Sequence, residues 1–468
     1  MKRKIQYKGF LMALACLLLL VGIHPSYVYA EEGWPSGPQT DSPCVIVMEV
    51  QSGTVLYEKN AHEQHYPASI TKIMTSLLAI ENSSMDEVVT FSENAVYKTE
   101  GSSIWRDVGE EMTMEQCLYG LMLASSNDCG YAIAEHVSGT MEGFVEEMNK
   151  RAKQLGCTDT HFANPHGLTD PEHYTTCYDM ALIAREAYKN EEFRKIIGTV
   201  RYTIPATNKH DEETYLKNHN EMLHPFRTNG EYQYEYCTGG KTGWTEAANS
   251  TLVTYAEKDG LQLVCVIMNT QSPSQWKDSI RLYDYCFQNF QAWNVSENEK
   301  SYEETKENGG LSDIEPYVEM DRNGVIVLPK TAQFEDAVSE VSYENQSDTV
   351  EATLKYTYEG RDVGGADIVT TNARVAGFTF HSREAATETE ALTEAGEKKG
   401  IAFPVKTILL VLLGIVVLVL LGFGIRLLWD RMPLIRRKYF NGGGFHHRKY
   451  RTIKDTRKHK RRRRFKKR

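Results

Sequence analysis

The chain has 468 residues, enough for two or more folded domains, and 41% of them are hydrophobic, which excludes a largely disordered protein. Charge is separated along the chain: residues 426–468 hold 19 Lys and Arg but two acidic residues, whereas residues 31–425 hold 61 acidic and 30 basic residues. The acidic body argues against nucleic acid as a ligand, because proteins that bind nucleic acid usually carry a basic patch.

The N-terminal residues predict export. Four basic residues at positions 2, 3, 4 and 8 precede the apolar stretch 10–23, and Ala30 completes a small-residue cleavage site. A basic start, an apolar centre and a small-residue end are typical of a secretory signal peptide. We therefore predict that residues 1–30 form a signal peptide.

The C-terminal residues predict membrane anchoring. Residues 407–425 contain no charged residue, and at ~1.5 Å per residue a helix of this length nearly crosses the ~30 Å hydrocarbon core of a bilayer. We predict one transmembrane helix there, preceded by an acidic linker at 384–401. The positive-inside rule then places the basic tail, 426–468, in the cytoplasm and the body outside. Anionic lipid of the cytoplasmic membrane is the expected contact of the tail.

Between these ends, the first folded domain is predicted over residues 31–295. Apolar stretches at 44–50 and 54–57 flank a turn and predict a β-hairpin. A helical region follows, with an apolar stripe from Met114 to Met122 and a possible capping box at Thr113 and Gln116. Further along, strands are predicted at 251–256 and 261–268, and a final amphipathic helix is predicted at 276–290. This order predicts one sheet whose strands come from both ends of the domain, beside a helical lobe.

Beyond a polar stretch at 296–310, short alternating segments predict a small all-β domain over residues 311–383. Eight cysteines follow the predicted signal peptide, and they are scattered rather than spaced like a disulfide scaffold. We expect them to be mostly buried free thiols, although an exported protein permits disulfides.

A serine and a lysine three residues apart stand where the β pattern changes to a helical one. If a helix begins near Ser69, then Ser69 and Lys72 are neighbours on one face, and a neutral lysine amine can take the proton of the serine hydroxyl. The unpaired amides of the first turn would point toward negative charge that forms beside Ser69. Alone, S-x-x-K is weak evidence, because a capping serine with a solvated lysine is common.

Two further motifs strengthen the hypothesis. Residues 125–127 read S-x-N and residues 241–243 read K-T-G. In order and spacing, the three motifs resemble the signatures of penicillin-binding proteins and serine β-lactamases. Over roughly residues 35–290 the chain resembles the low-molecular-mass D-alanyl-D-alanine carboxypeptidases of peptidase family S11. The resemblance implies an α/β (α+β) serine β-lactamase/transpeptidase-like domain, with an antiparallel sheet and a helical lobe.

The resemblance also implies an acyl-enzyme mechanism on a peptidoglycan stem peptide, with β-lactam antibiotics as covalent inhibitors. Ser69 would attack the carbonyl between the last two D-alanines. Lys72 would accept its proton, which requires a pKa lowered by burial and by a nearby charge on Lys241. Ser125 would relay the proton to the leaving amine, and Asn127 would hold the substrate backbone.

The K-T-G strand is expected to bind the C-terminal D-alanine of the substrate. Lys241 and Thr242 would bind the terminal carboxylate, and Gly243 would let the substrate lie close to the strand. The backbone N–H groups of Ser69 and Trp244 would form the oxyanion hole. Histidine occupies the position of Trp244 in some relatives, so this residue could alter deacylation or pH dependence.

No cofactor or metal is expected. The segment from His62 to His65 is one residue too short for H-E-x-x-H, the spacing that places two zinc-binding imidazoles on one helical face. His166 is open to two interpretations, either a catalytic histidine or, as we favour, one that fixes a loop by hydrogen bonds.

Three other functions remain as alternatives. A β-lactamase of the same fold is disfavoured because class A enzymes use a glutamate to activate water, and residues 164–170 offer none. A D,D-endopeptidase that cleaves cross-links is harder to exclude. A catalytically silent wall-binding protein would have no chemical reason to keep all of the motif residues.

Overall fold

The computed structural model describes residues 33–299, 318–344, 347 and 349–370. The strands in this part of the chain are β1 (Cys44–Glu49), β2 (Val55–Lys59), β3 (Val88–Thr90), β4 (Glu111–Thr113), β5 (Arg201–Ile204), β6 (Thr214–Lys217), β7 (Cys237–Thr245), β8 (Asn249–Lys258), β9 (Leu261–Thr270), β10 (Phe290–Asn294), β11 (Val318–Met320), β12 (Val325–Pro329), β13 (Val338–Ser342), β14 (Val350–Tyr358) and β15 (Arg361–Thr370). The helices are α1 (Lys72–Asn82), α2 (Glu93–Tyr97), α3 (Met114–Leu123), α4 (Asn127–Ser138), α5 (Met141–Gln154), α6 (Cys177–Tyr188), α7 (Glu191–Gly198), α8 (Ser274–Asn289) and α9 (Val295–Asn298).

A five-stranded antiparallel sheet holds the order β2-β1-β9-β8-β7. The first hairpin of the chain therefore lies beside three strands that follow almost 200 residues later, as the sequence predicts. Strand β1 is apolar at nearly every position because both of its faces are buried. Ile46 and Met48 contact the helical lobe, whereas Val45 and Val47 face the core that helix α8 covers.

Helices α1 to α7 form the lobe on the other side. Helix α1 packs Ile73, Met74 and Leu77 into the core, and α3 begins with the predicted capping box, in which Thr113 accepts from Gln116 N and the Gln116 side chain accepts from Thr113 N. Mixed α/β structure with an antiparallel sheet is thus present in the order that hydrophobic periodicity predicts.

A second sheet has the order β10-β12-β15-β14-β13, and β11 also pairs with β15. Its first strand, Phe290–Asn294, lies inside the range 31–295 that the sequence assigns to the catalytic domain. Helix α8 ends at Asn289 and the strand begins at Phe290, with no glycine or proline between them, and this is why composition places the boundary later. The described residues belong to one compact unit, so a separate all-β domain over 311–383 stays a prediction.

The eight cysteines that the structure describes are all free, and seven are buried, which confirms the expectation of free thiols. The predicted signal peptide, linker, transmembrane helix and basic tail lie outside the described residues. None of the helices within those residues is both long and apolar enough to cross a membrane.

Candidate active site

Ser69 lies in a 3-10 turn, Ala68–Thr71, that runs directly into helix α1 at Lys72. Two hydroxyl groups hold the backbone of this turn: Thr71 Oγ1 donates to Ala68 O at 2.9 Å, and Thr251 Oγ1 of strand β8 donates to Pro67 O at 2.8 Å. Ala68 adopts a left-handed conformation with φ 52°. The turn is therefore fixed from both sides, and the partly exposed Ser69 opens onto a cavity.

Lys72 is fully buried and makes three short contacts. Its Nζ lies 3.0 Å from Ser69 Oγ, 2.7 Å from Asn127 Oδ1 and 2.6 Å from the carbonyl oxygen of His166. Burial lowers the pKa of Lys72 well below its ordinary value, and the positive charge of Lys241 lowers it further, against the carboxylate of Asp128. A neutral amine at this place can donate to the two carbonyl oxygens and direct its lone pair at the Ser69 hydroxyl.

The loop at residues 164–168 provides the carbonyl oxygen of His166 that accepts from Lys72. Asn164 Oδ1 accepts from Gly167 N at 2.7 Å, and Asn164 Nδ2 donates to Leu168 O at 2.9 Å, which fixes the loop. Gly167 has φ +89°, and a Cβ there would stand 1.9 Å from Ala68 O. Only glycine therefore allows the loop to lie against the nucleophile turn.

The His166 ring lies within its own loop, where Nδ1 accepts from Leu168 N at 3.4 Å. Burial lowers its pKa to about 3, so the ring is neutral at neutral pH. The atom of His166 that reaches Lys72 is the backbone carbonyl oxygen. This arrangement fits the loop-fixing interpretation better than an acid–base role.

Ser125 and Asn127 lie at the junction of helices α3 and α4. Ser125 has φ 59° and lines the same cavity as Ser69. Asn127 begins α4, and its amide bridges two groups: Oδ1 accepts from Lys72 and Nδ2 donates to Glu100 O at 2.6 Å. In this structure its side chain orients Lys72, and the contact with the substrate backbone that the resemblance implies for Asn127 stays a prediction.

Strand β7 forms another wall of the cavity that Ser69 and Ser125 line. Lys241 is buried, its Nζ donates to Thr242 O at 2.9 Å, and burial lowers its pKa to about 7. A Cβ at Gly243 would stand 2.9 Å from Ser69 N, so the strand and the nucleophile turn are in direct contact. The side chain of Trp244 is 68% exposed.

These elements surround a cavity of about 800 Å³. Ser69, Ser125, Thr242, Gly243 and Trp244 all line it, so the structure brings together the three motifs that are far apart in sequence. Lys72 and Asn127 lie directly behind this surface and join it through their hydrogen bonds.

One part of the cavity wall lies outside the three sequence motifs. A loop between β6 and β7 contributes a further group of lining residues, which are His219, Glu221, Phe226, Arg227, Thr228 and Tyr232. The Glu221 carboxylate holds this loop by accepting from the backbone of residues 226–228. Burial, followed by the charge of Lys241, lowers the pKa of His219 to about 4. No local pattern in the sequence distinguishes this loop from an ordinary polar connection.

A profile of the D-alanyl-D-alanine carboxypeptidase family, Peptidase_S11, matches residues 32–272. This chain belongs to that family. It is 34% identical over 291 residues to the D-alanyl-D-alanine carboxypeptidase DacF of Bacillus subtilis, a match that covers 61% of this chain and 72% of the relative.

Solved structures agree with the family assignment. The chain resembles the D-alanyl-D-alanine carboxypeptidase of Mycobacterium tuberculosis, with 30% identity, a TM-score of 0.50 and coverage of 55% of this chain and 94% of the other. It also resembles the Streptomyces K15 DD-transpeptidase, with 29% identity, a TM-score of 0.50 and coverage of 54% and 99%. The likeness therefore concerns about half of this chain and nearly all of each solved structure.

Proposed function

We propose that this protein is a serine-type D-Ala-D-Ala carboxypeptidase, a hydrolase that removes the terminal D-alanine from peptidoglycan stem peptides. The observation that carries the proposal is the contact of Lys72 Nζ with Ser69 Oγ at 3.0 Å, at the edge of the cavity where the three motifs meet. Membership of the S11 family supports the same reaction class.

In the acylation step, Ser69 Oγ forms a bond to the carbonyl carbon of the penultimate D-alanine. Lys72 accepts the hydroxyl proton, and burial supports this role because it lowers the pKa of Lys72 well below its ordinary value and so favours the neutral amine. Asn127 and the His166 carbonyl hold that amine in place through its two N–H groups. Negative charge on the carbonyl oxygen is stabilised by the backbone N–H groups of Ser69 and Trp244.

The C–N bond then breaks, and the leaving amine needs a proton. Ser125 lines the cavity with Ser69, and we assign it the relay of the proton from Lys72 to the amine of the departing D-alanine. Water then cleaves the ester to release the shortened peptide and restore the Ser69 hydroxyl. A β-lactam would acylate Ser69 in a corresponding step, in which the lactam C–N bond breaks, and the resulting ester would inhibit the enzyme.

The terminal carboxylate of the substrate is assigned to strand β7. Lys241 supplies positive charge and Thr242 supplies a hydroxyl on the cavity wall. A carboxylate beside Lys241 favours the protonated amine, so substrate binding itself would restore the charge that burial opposes. Gly243 leaves room for the peptide along the strand.

The location of the enzyme is also part of the proposal. The predicted signal peptide 1–30, the predicted small all-β domain, the predicted span 407–425 and the basic tail 426–468 together fit a protein anchored in the cytoplasmic membrane, with its catalytic part outside. Protease added to intact cells should remove the catalytic part and spare an epitope placed after Arg468. Digestion of that epitope would contradict this topology.

The experiment that tests the activity uses the purified full chain in detergent. With a pentapeptide that ends in D-Ala-D-Ala, the enzyme should release free D-alanine, and Ser69→Ala should not. A cross-linked dimeric muropeptide, tested in parallel, should be cleaved more slowly. Faster cleavage of the dimer than release of D-alanine would favour the D,D-endopeptidase alternative.

A further inference from the structure

Three metal-binding side chains meet outside the active-site cavity. Cys44 begins strand β1, whereas Glu63 and His65 lie in the segment that leads from β2 to the nucleophile turn. Cys44 Sγ lies 3.0 Å from His65 Nε2 and 3.6 Å from Glu63 Oε2, and the Glu63 and His65 atoms are 3.7 Å apart. The three ligand atoms thus form one compact triangle.

We propose that Cys44, Glu63 and His65 bind a zinc ion, with water as the fourth ligand. In tetrahedral zinc sites the metal lies about 2.0–2.3 Å from its ligand atoms, so neighbouring ligand atoms are about 3.3–3.7 Å apart. The two separations that involve Glu63, 3.6 and 3.7 Å, lie within that range. Cys44 Sγ and His65 Nε2, which are 3.0 Å apart, would move apart by about 0.3–0.7 Å to hold the cation.

The chemistry of the three ligands favours zinc over other cations. A thiolate, an imidazole and a carboxylate are all zinc ligands, and the combination is too soft for Mg²⁺ or Ca²⁺, which prefer oxygen alone. Zinc would replace the thiol proton of Cys44, since the metal ligand is the thiolate.

Access to the site comes from the side of Glu63 and His65. Cys44 is buried, whereas the side chains of His65 and Glu63 are 21% and 60% exposed. A cation can therefore arrive from solvent, reach the sulfur between these two side chains and keep a water molecule on its open side. This arrangement has three protein ligands and one exchangeable position.

The position of the site suggests what the metal would do. The backbone of His65 already pairs with Thr175, and the nucleophile turn begins three residues further on. A zinc ion would join this segment to strand β1 of the central sheet. It would thus stabilise the approach to Ser69 without contacting the catalytic groups, a role that goes beyond the proposed function.

The H-E-x-x-H motif does not indicate this site, because the motif concerns only two histidines of one segment. His62 lies 4.0 Å from Glu58 and is outside the triangle, whereas the missing ligand, Cys44, comes from another strand. His62 therefore offers a matched control: a histidine of the same segment that should not contribute to the site.

The test uses the purified full chain, freed of metal by a chelator, with Zn²⁺ and Co²⁺ as probes. The unmodified protein and His62→Ala should bind one Zn²⁺, unfold at a higher temperature when it is present, and show thiolate-to-cobalt charge-transfer absorption with Co²⁺. His65→Ala and Glu63→Gln should bind Zn²⁺ at least tenfold more weakly, and Cys44→Ser should lose the cobalt absorption. Penicillin labelling of each metal-free variant controls for folding. If Cys44→Ser does not fold, Glu63→Gln still tests the zinc site, because Glu63 is exposed and its substitution should not affect folding. The proposal is overturned if the unmodified protein shows no cobalt–thiolate absorption, or if Glu63→Gln and His65→Ala bind Zn²⁺ as tightly as His62→Ala does.

Discussion

A Cβ atom added to Gly243 would lie 2.9 Å from the backbone nitrogen of Ser69. The same atom would lie 2.3 Å from Thr251 Oγ1, the hydroxyl that holds the nucleophile turn through Pro67 O. The distance between strand β7 and the amide that is proposed to stabilise the oxyanion is therefore set by the absence of a side chain at this position.

We predict that Gly243→Ala slows acylation by roughly 10²-fold, the usual effect of losing one oxyanion-hole donor, because the methyl group moves the strand away from Ser69 N. Rates of labelling with a fluorescent penicillin measure the effect. Trp244→Ala is the matched control, since it removes a largely exposed side chain and keeps the Trp244 amide that is proposed to contribute to the oxyanion hole. Equal rates for Gly243→Ala and the unmodified enzyme would mean that the close approach has no catalytic importance.

Lys72→Ala should nearly abolish acylation at every substrate concentration, a loss of about 10²- to 10⁴-fold in kcat. Without the lysine, Ser69 keeps its proton and is a poor nucleophile. Single-turnover acylation by a penicillin measures this, and Lys195→Ala, which changes a half-exposed surface lysine, controls for loss of a positive charge. A Lys72→Ala enzyme that acylates within a factor of ten of normal would rule out this lysine as the base.

Lys241→Gln should fail in a different way, because this lysine is assigned to the substrate carboxylate. Loss of a charge-assisted hydrogen bond costs on the order of 1.5–3 kcal/mol, so kcat/KM should fall by roughly 10- to 150-fold. The loss should shrink for a peptide whose terminal carboxylate is amidated. If the substitution penalises the free and the amidated peptide equally, Lys241 is not the partner of the carboxylate.

The two buried lysines also predict the pH dependence of kcat/KM. Lys72 must be neutral in the free enzyme, so kcat/KM falls at low pH as its amine gains a proton. Lys241 must be charged, and its pKa of about 7 means that kcat/KM for a free carboxylate falls as pH rises through that region. The amidated peptide should lack this alkaline fall. A plateau extending to about pH 10 with the free peptide would show that Lys241 keeps its ordinary pKa.

Much of the fold could be predicted because burial leaves a regular pattern in the sequence. The apolar run of β1, the hairpin of β8 and β9 and the stripe of α3 all reflect one or two buried faces. The boundary before the second sheet carries no sequence signal, because helix α8 ends at Asn289 and strand β10 begins at the next residue, Phe290.

Sequence predicts those parts of the site in which side chains lie at a short, regular spacing. It does not predict the parts to which backbone groups or distant loops contribute. Ser69 and Lys72 are neighbours because three residues make about one helical turn. The His166 carbonyl that holds Lys72 carries no sequence signal, since every residue has a carbonyl group. His219 lines the cavity only because the loop of Glu221 folds over it, and Cys44 meets His65 only because the sheet places β1 beside that segment.

The measurement that tests the central claim most directly locates the covalent bond. The full-length enzyme is incubated with a penicillin, digested, and analysed by mass spectrometry for the modified peptide. We predict one adduct per chain on the peptide that contains Ser69, and we predict neither an adduct nor release of D-alanine from a pentapeptide for Ser69→Ala. An adduct on a different residue, or D-alanine release that persists in Ser69→Ala, would contradict the proposed mechanism.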